Sequence, residues 1–147
     1  MTKLKVLRYS VCTLMSCSLF FVNCAYASDL MLSLSIKEDS LNKDTPNDYI
    51  IGKGFVKNYD SDIILVSTNA EKVIGTQSTY IFRGRNNPKN KIKIRLGGEN
   101  WTTHKDGLGI IANTKLTNTF NLYYIGSDAL IPDTYMVNLY AVEVYNK

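Results

Sequence analysis

Beyond residue 27 this sequence contains no cysteine, since Cys12, Cys17 and Cys24 all lie near the front of the chain. Without that front segment neither a disulfide nor a cysteine nucleophile is available. Small exported domains often rely on disulfide staples, so stability here has to come from packing or from a partner. Histidine is equally scarce, with His104 alone in the whole chain. One His without Cys cannot assemble a zinc site of ordinary ligand composition. As the base of a Ser-His-Asp group, His104 would need a nucleophile turn of the Gly-x-Ser-x-Gly kind, and none accompanies it. Among the acidic residues, Asp60 and Asp62 form a short turn pair suited to local backbone hydrogen bonds rather than to calcium. Asp128 and Asp133, flanking the last loop, carry the same expectation. The sequence therefore offers no catalytic residue, no metal site and no cofactor site. It also lacks an internal repeat, a low-complexity segment and any sustained helical apolar period.

What is there begins with a segment that reads as an address rather than as fold. Lys3, Lys5 and Arg8 form a positive front, Val11 to Val22 is mostly apolar, and Ala25-Tyr26-Ala27 fits a small-x-small cleavage site. Residues 1–27 are thus expected to be a signal peptide and 28–147 a single domain. The apolar part is too short for a comfortable membrane span. A lipid attachment at Cys24 is disfavoured by the polar Asn23 before it. Removing residues 1–27 leaves 120 of 147 residues, enough for one core. It also removes three of the 17 basic side chains and none of the 13 acidic ones, so the net charge falls from +4 to +1. Nucleic acid is not an implied partner of so nearly neutral a domain.

The remaining pattern is that of strands. Leu30, Leu32, Leu34 and Ile36 alternate with Met31, Ser33 and Ser35. Tyr49 to Val56 contains Gly52 and Gly54, which permit a bulge or a close backbone approach. The turn-rich 58–62 segment and Ile63 to Val66 suggest that this run continues as a hairpin. Ala70 to Val73 could form one helical turn. Thr79 to Phe82 and Lys91 to Leu96 bracket a turn at Asn86 to Asn90, with Ile92, Ile94 and Leu96 on one face and Lys91, Lys93 and Arg95 on the other. A turn at Gly97 to Asn100 leads to Trp101, expected to be a core or loop anchor, and then to a polar loop running to about Leu116. Thr119 to Tyr124 is a further strand. About seven short strands with turns between them define an all-β sandwich.

Two features carry the functional reading. The closing run alternates Tyr135, Val137, Leu139 and Ala141 against Met136, Asn138 and Tyr140. Met136, Tyr140, Val142 and Val144 make a competing apolar face. So apolar a terminal strand must pair internally or leave an edge that invites another chain. The second feature is a basic run, Arg83, Arg85, Lys89, Lys91, Lys93 and Arg95, uninterrupted by any acid. It reads either as a contact for an anionic cell surface or a sialylated or sulfated glycan, or as a solvated hairpin face whose lysines discourage edge pairing.

The segment Ile92-Lys-Ile-Arg-Leu-Gly-Gly-Glu-Asn-Trp101, then Phe120-x-Leu-Tyr-Tyr, then Ile131-Pro-Asp-Thr-Tyr135 opening the terminal strand, resembles the Afa/Dr-type invasin minor subunits of chaperone–usher fimbriae, the AfaD/AggB type. The chain departs from that pattern in lacking a cysteine pair and in reading Asp-Thr-Tyr rather than Gly-x-Tyr after Pro132. The resemblance implies an immunoglobulin-like sandwich lacking its last strand, completed first by a periplasmic chaperone and then by a donor strand from a major fimbrial subunit at the outer-membrane usher. Leu30, Leu32 and Leu34, facing Tyr135, Val137, Leu139 and Ala141 across the gap, would line the groove. Leaving four or five such side chains wet costs roughly 1.5–3 kcal/mol each, comparable with a whole domain's stability of about 5–15 kcal/mol.

The implied role is a non-enzymatic tip adhesin or invasin at the bacterial surface, acting in host-cell attachment or invasion through an unidentified receptor. Because only Ser28 and Asp29 stand between the cleavage site and the Leu30–Ile36 run, the subunit is expected to receive a donor strand and give none. The rival readings are a self-polymerising major pilin, a complete stand-alone secreted β-sandwich acting as a binding module or inhibitor, and an exported hydrolase resting on His104 alone.

Overall fold

Alternation builds nearly every element of the chain. In the computed structural model, which describes residues 4–14, 30–37, 41–58, 61–126 and 130–145, these form eleven strands and no helix. In chain order they are β1 (Leu4–Leu14), β2 (Met31–Ile36), β3 (Tyr49–Lys57), β4 (Ile63–Ser67), β5 (Glu71–Lys72), β6 (Thr79–Arg83), β7 (Lys91–Gly97), β8 (Thr102–Thr103), β9 (Ile110–Asn113), β10 (Thr119–Ile125) and β11 (Tyr135–Val144). They make two antiparallel sheets, one ordered β1-β11-β4-β9-β8 and the other β2-β3-β10-β7-β6-β5. The inner faces meet in one core, where Val56, Ile64, Val66, Ile94, Leu122 and Val137 are fully buried. The all-β sandwich expected from the sequence is the fold observed.

Several local expectations need correction. The run after Tyr49 does not fold back as a hairpin onto Ile63–Val66: β3 and β4 lie in opposite sheets. Residues 71 and 72, where a helical turn was expected, form β5 on the edge of β6. The polar stretch after Trp101 holds two short strands, β8 and β9, paired with each other, and β9 pairs with β4. Residues 4–14 form strand β1 in the sandwich, a placement compatible with the expected cleavage after Ala27. The cleavage site at Ala25 to Ala27 lies outside the described residues, as do Cys17 and Cys24.

Glycine is used where backbones must approach. Gly54 sits opposite Phe120 across the β3–β10 ladder, and a Cβ there would come within 2.0 Å of the phenyl ring. The missing side chain lets the ring lie over β3 and close the core. Register slips beside Gly52, between Leu122 and Tyr123 of the partner strand, so β3 carries the irregularity its glycines suggested. Trp101 anchors the turn after β7. It is 7% exposed, donates its indole N–H to the Thr119 carbonyl at 2.7 Å, and packs edge-on against Phe120 with ring centroids 5.4 Å apart. The non-glycine positive φ of 62° at Asn100 sets up this placement.

Candidate functional site

The alternation of β11 resolves to one core face. Tyr135, Val137, Leu139 and Ala141 are 4%, 0%, 1% and 2% exposed, whereas Met136 is 38% exposed and Asn138 is open to solvent. The competing apolar parity therefore points away from the core. Val142 on that outer face is nonetheless buried, as is its cross-strand partner Leu65.

One side of β11 is held by β4, from Tyr140 opposite Ser67 to Val144 opposite Ile63. Its other side is paired along the strand by β1, antiparallel, from Leu4 opposite Val144 to Leu14 opposite Tyr135, with a register slip between Leu7 and Ser10. Across the sandwich from this pairing lies β2, the edge strand of the other sheet, hydrogen-bonded to β3. Leu30 and Leu32 on it are buried in the core, and Leu34 packs against the core half-buried. The residues expected to line a groove thus converge on one side of the sandwich, Leu30, Leu32 and Leu34 from one sheet and Tyr135, Val137, Leu139 and Ala141 from the other. On that side β1 is the edge strand of the five-stranded sheet, beside β11.

The entry to β11 is fixed by a contact that the sequence did not disclose. Asp133 was expected to make local turn bonds, and one of its bonds is local, from the Thr134 N–H at 2.6 Å. The others come from far along the chain: the N–H groups of Asn86 and Asn87 at 3.0 and 3.1 Å, and the Asn90 side-chain amide at 2.9 Å. Burial by itself would raise the Asp133 pKa, but these four hydrogen bonds to its charged form outweigh that and lower it from 3.8 to about 2. A Cβ at Gly84 would fall 2.2 Å from the carboxylate, so the glycine makes room for it. The same corner is closed by the Arg85 N–H on the Thr134 carbonyl and by a bridge between Gly84 and Tyr135. The Tyr135 hydroxyl donates to the Ile131 carbonyl at 2.6 Å. The tip of the β6–β7 hairpin is thereby tied to the start of β11.

A folded-state pKa below the unfolded one means that Asp133 stabilises the fold above about pH 4, and that this contribution is lost as pH falls from about 4 to about 2. Asp133→Asn should lower the melting temperature at pH 7, and the gap from wild type should close progressively between pH 4 and pH 2. Thermal melts across that range measure it. A gap independent of pH would show that the carboxylate charge does not hold the corner.

The basic run divides into separate environments. Arg83 pairs with Glu71 at 2.8 Å, and Arg95 pairs with Asp48 at 2.6 Å while its guanidinium stacks 4.2 Å from the Tyr123 ring centroid. Arg85 and Lys89 are exposed in the hairpin loop, and Lys91 and Lys93 stand on the outer face of β7. The run is thus partly neutralised by acids distant in sequence. His104 lies half-buried in the loop between β8 and β9, where its Nδ1 accepts the Asp106 N–H at 3.3 Å. Among the described residues, no three His, Cys, Asp or Glu side chains cluster as metal ligands would.

Comparison with solved structures places this geometry. SefD superposes with a TM-score of 0.72 at 37% identity, over 78% of this chain and 85% of that one. The Salmonella SafD adhesin superposes at 0.69 with 22% identity, over 78% and 87% of the two chains. The minor tip subunit HdaB of the Escherichia coli Hda pilus gives 0.64 with 19% identity, over 78% and 82%, and these last two agree with the present chain in fold. A search of curated protein sequences returns no significant match. The likeness to SefD, together with a family match, makes the chain a non-enzymatic chaperone–usher fimbrial tip adhesin or invasin subunit, a protein of the cell surface. The family model described as the Enterobacteria AfaD invasin protein matches residues 41–141, and the chain belongs to that family.

Proposed function

We propose that residues 1–27 are a leader removed on export, and that the β11 edge this exposes is the assembly site of the subunit. A periplasmic chaperone covers the edge first. At the outer-membrane usher, a strand from a major fimbrial subunit takes its place. The observation that carries this reading is the pairing of β1 with β11: the strand closing the sandwich is the segment whose sequence marks it for removal. Its loss would leave a ten-residue strand with one unpaired ladder and four inward side chains short of cover. An incoming strand would find backbone groups to pair and alternate side-chain positions to fill. Use of Leu30–Ile36 within the subunit's own sheet, as β2, supports a subunit that receives a donor strand and gives none. Such a subunit would end the fibre and meet the host cell, in attachment or invasion.

The test is a melt of chain 28–147 alone and with a synthetic peptide of alternating apolar residues taken from a candidate major subunit. The peptide should raise the melting temperature by tens of degrees, because the energy it restores is comparable with the stability of a whole domain, about 5–15 kcal/mol. A cooperative melt without peptide, unchanged on adding it, would favour a stand-alone sandwich.

A further inference from the structure

The outer face of the six-stranded sheet lies in the sheet that does not contain β11, and strand register brings together on it cations that are far apart in sequence. Lys53 on β3 stands opposite Asn121 on β10, which stands opposite Gly97 on β7. One step further along β7, Arg95 faces Tyr123, and then Lys93 faces Ile125. Lys91 completes the row, opposite Arg83 on β6. Alternate residues of a strand are about 7 Å apart, and β3 and β7, separated by one strand, are about 10 Å apart. Arg95, Lys93 and Lys91 therefore run in a line along β7, and Lys53 stands to one side of its Gly97 end, two strands away.

Lys53, Lys91 and Lys93 make no ion pair among the described residues, while Asp48 on Arg95 and Glu71 on Arg83 border the row. Lys53 and Lys91 are exposed, and Lys93 and Arg95 are half-buried. Beside the row, Gly97 lets the Arg95–Tyr123 stack lie close over its backbone, since a Cβ there would meet the guanidinium at 3.2 Å and the tyrosine ring at 3.5 Å.

We propose that this face binds a linear sulfated polysaccharide of the host surface. A line of cations on a flat sheet suits an extended polyanion rather than a single sugar, which would require a concave site. Lysine engages sulfate as a point charge without needing a fixed approach. Sulfates recur densely enough to meet successive positions on β7, whereas a glycan with one carboxylate per disaccharide would leave part of the row unmatched. The domain's net charge of about +1 after leader loss makes this a property of one face, so binding should be strongly salt-dependent. The inference goes beyond the assembly site and does not depend on it.

The experiment titrates the full chain, with β1 in place, against a heparin-derived octasaccharide at low and physiological salt. Lys53→Glu with Lys93→Glu should weaken binding by about tenfold or more and reduce its salt dependence. Lys105→Glu, in the loop between β8 and β9 of the other sheet, should leave binding unchanged. Melting curves of the double variant matching wild type would attribute the loss to charge rather than to misfolding. Equal binding by the double variant would overturn the proposal. Equal affinity for hyaluronan, or a preference for phosphatidylserine vesicles over the oligosaccharide, would overturn the sulfated-glycan assignment.

Discussion

Leu139→Asp should leave no folded subunit. Leu139 is 1% exposed at the middle of the core face of β11, between Val137 and Ala141. The substitution forfeits about 1.5–3 kcal/mol of apolar burial. It also places a carboxylate among apolar neighbours with no cation to pair with, and an uncompensated buried charge costs about 3–5 kcal/mol. Together these approach the whole stability of a typical domain, about 5–15 kcal/mol. Asn138→Asp, one residue away and facing solvent, should stay within about 0.5 kcal/mol of wild type. Leu139→Ala should fall between them, at about 2–5 kcal/mol. Circular dichroism and chemical denaturation of the full chain provide the readout. A folded Leu139→Asp variant with near-wild-type stability would mean that this face of β11 does not close the core.

Deleting Leu30–Ile36 should abolish folding even when a donor peptide is supplied. The segment is β2, paired with β3 along six positions from Met31 opposite Lys57 to Ile36 opposite Gly52. Three of its side chains, Leu30, Leu32 and Ile36, are buried, at about 1.5–3 kcal/mol each. Removing it also bares the edge of β3. Soluble yield and melting behaviour of the deletion, with and without peptide, measure the effect. A truncated subunit that still folded with chaperone or peptide, and lost only the ability to join a fibre, would identify Leu30–Ile36 as a donating arm and overturn the capping role.

What was legible in the sequence was whatever a single strand reveals by itself. The alternation of Ile92, Ile94 and Leu96 against Lys91, Lys93 and Arg95 places β7 and both its faces. The spacing of Asn86 to Asn90 gives the hairpin between β6 and β7. Trp101 after a glycine pair is the anchor it was expected to be. Features decided by the meeting of distant segments were not legible. A polar segment between two apolar runs has the same composition whether they pair as a hairpin or part into different sheets, and β3 and β4 part. β5 and β8 have two residues each, too few for any period to register. Asp133 looked like a local turn former because its partners lie more than 40 positions away. Within the basic run, the acids on Arg83 and Arg95 and the proximity of Lys53 emerge only from register. The role of β1 was obscured for another reason: positive charge followed by apolar residues describes an export signal and a pairing-competent strand equally well.

The parting of β3 and β4 into different sheets bears on how quickly the molecule can form. Because β3 and β4 separate at once into different sheets, β4 has no immediate predecessor to pair with and waits for β9 and β11, dozens of residues later. Ser61, just before β4, bonds through its hydroxyl to the Val144 carbonyl, 83 positions downstream. Chains dominated by such distant pairings close their loops late and fold slowly. During that interval the apolar strands before β11 are exposed to solvent and to one another, the condition under which β proteins aggregate. The strand that completes the ladder to β4 is β11, more than 60 positions after it, so the molecule meets its greatest hazard before β11 is in place.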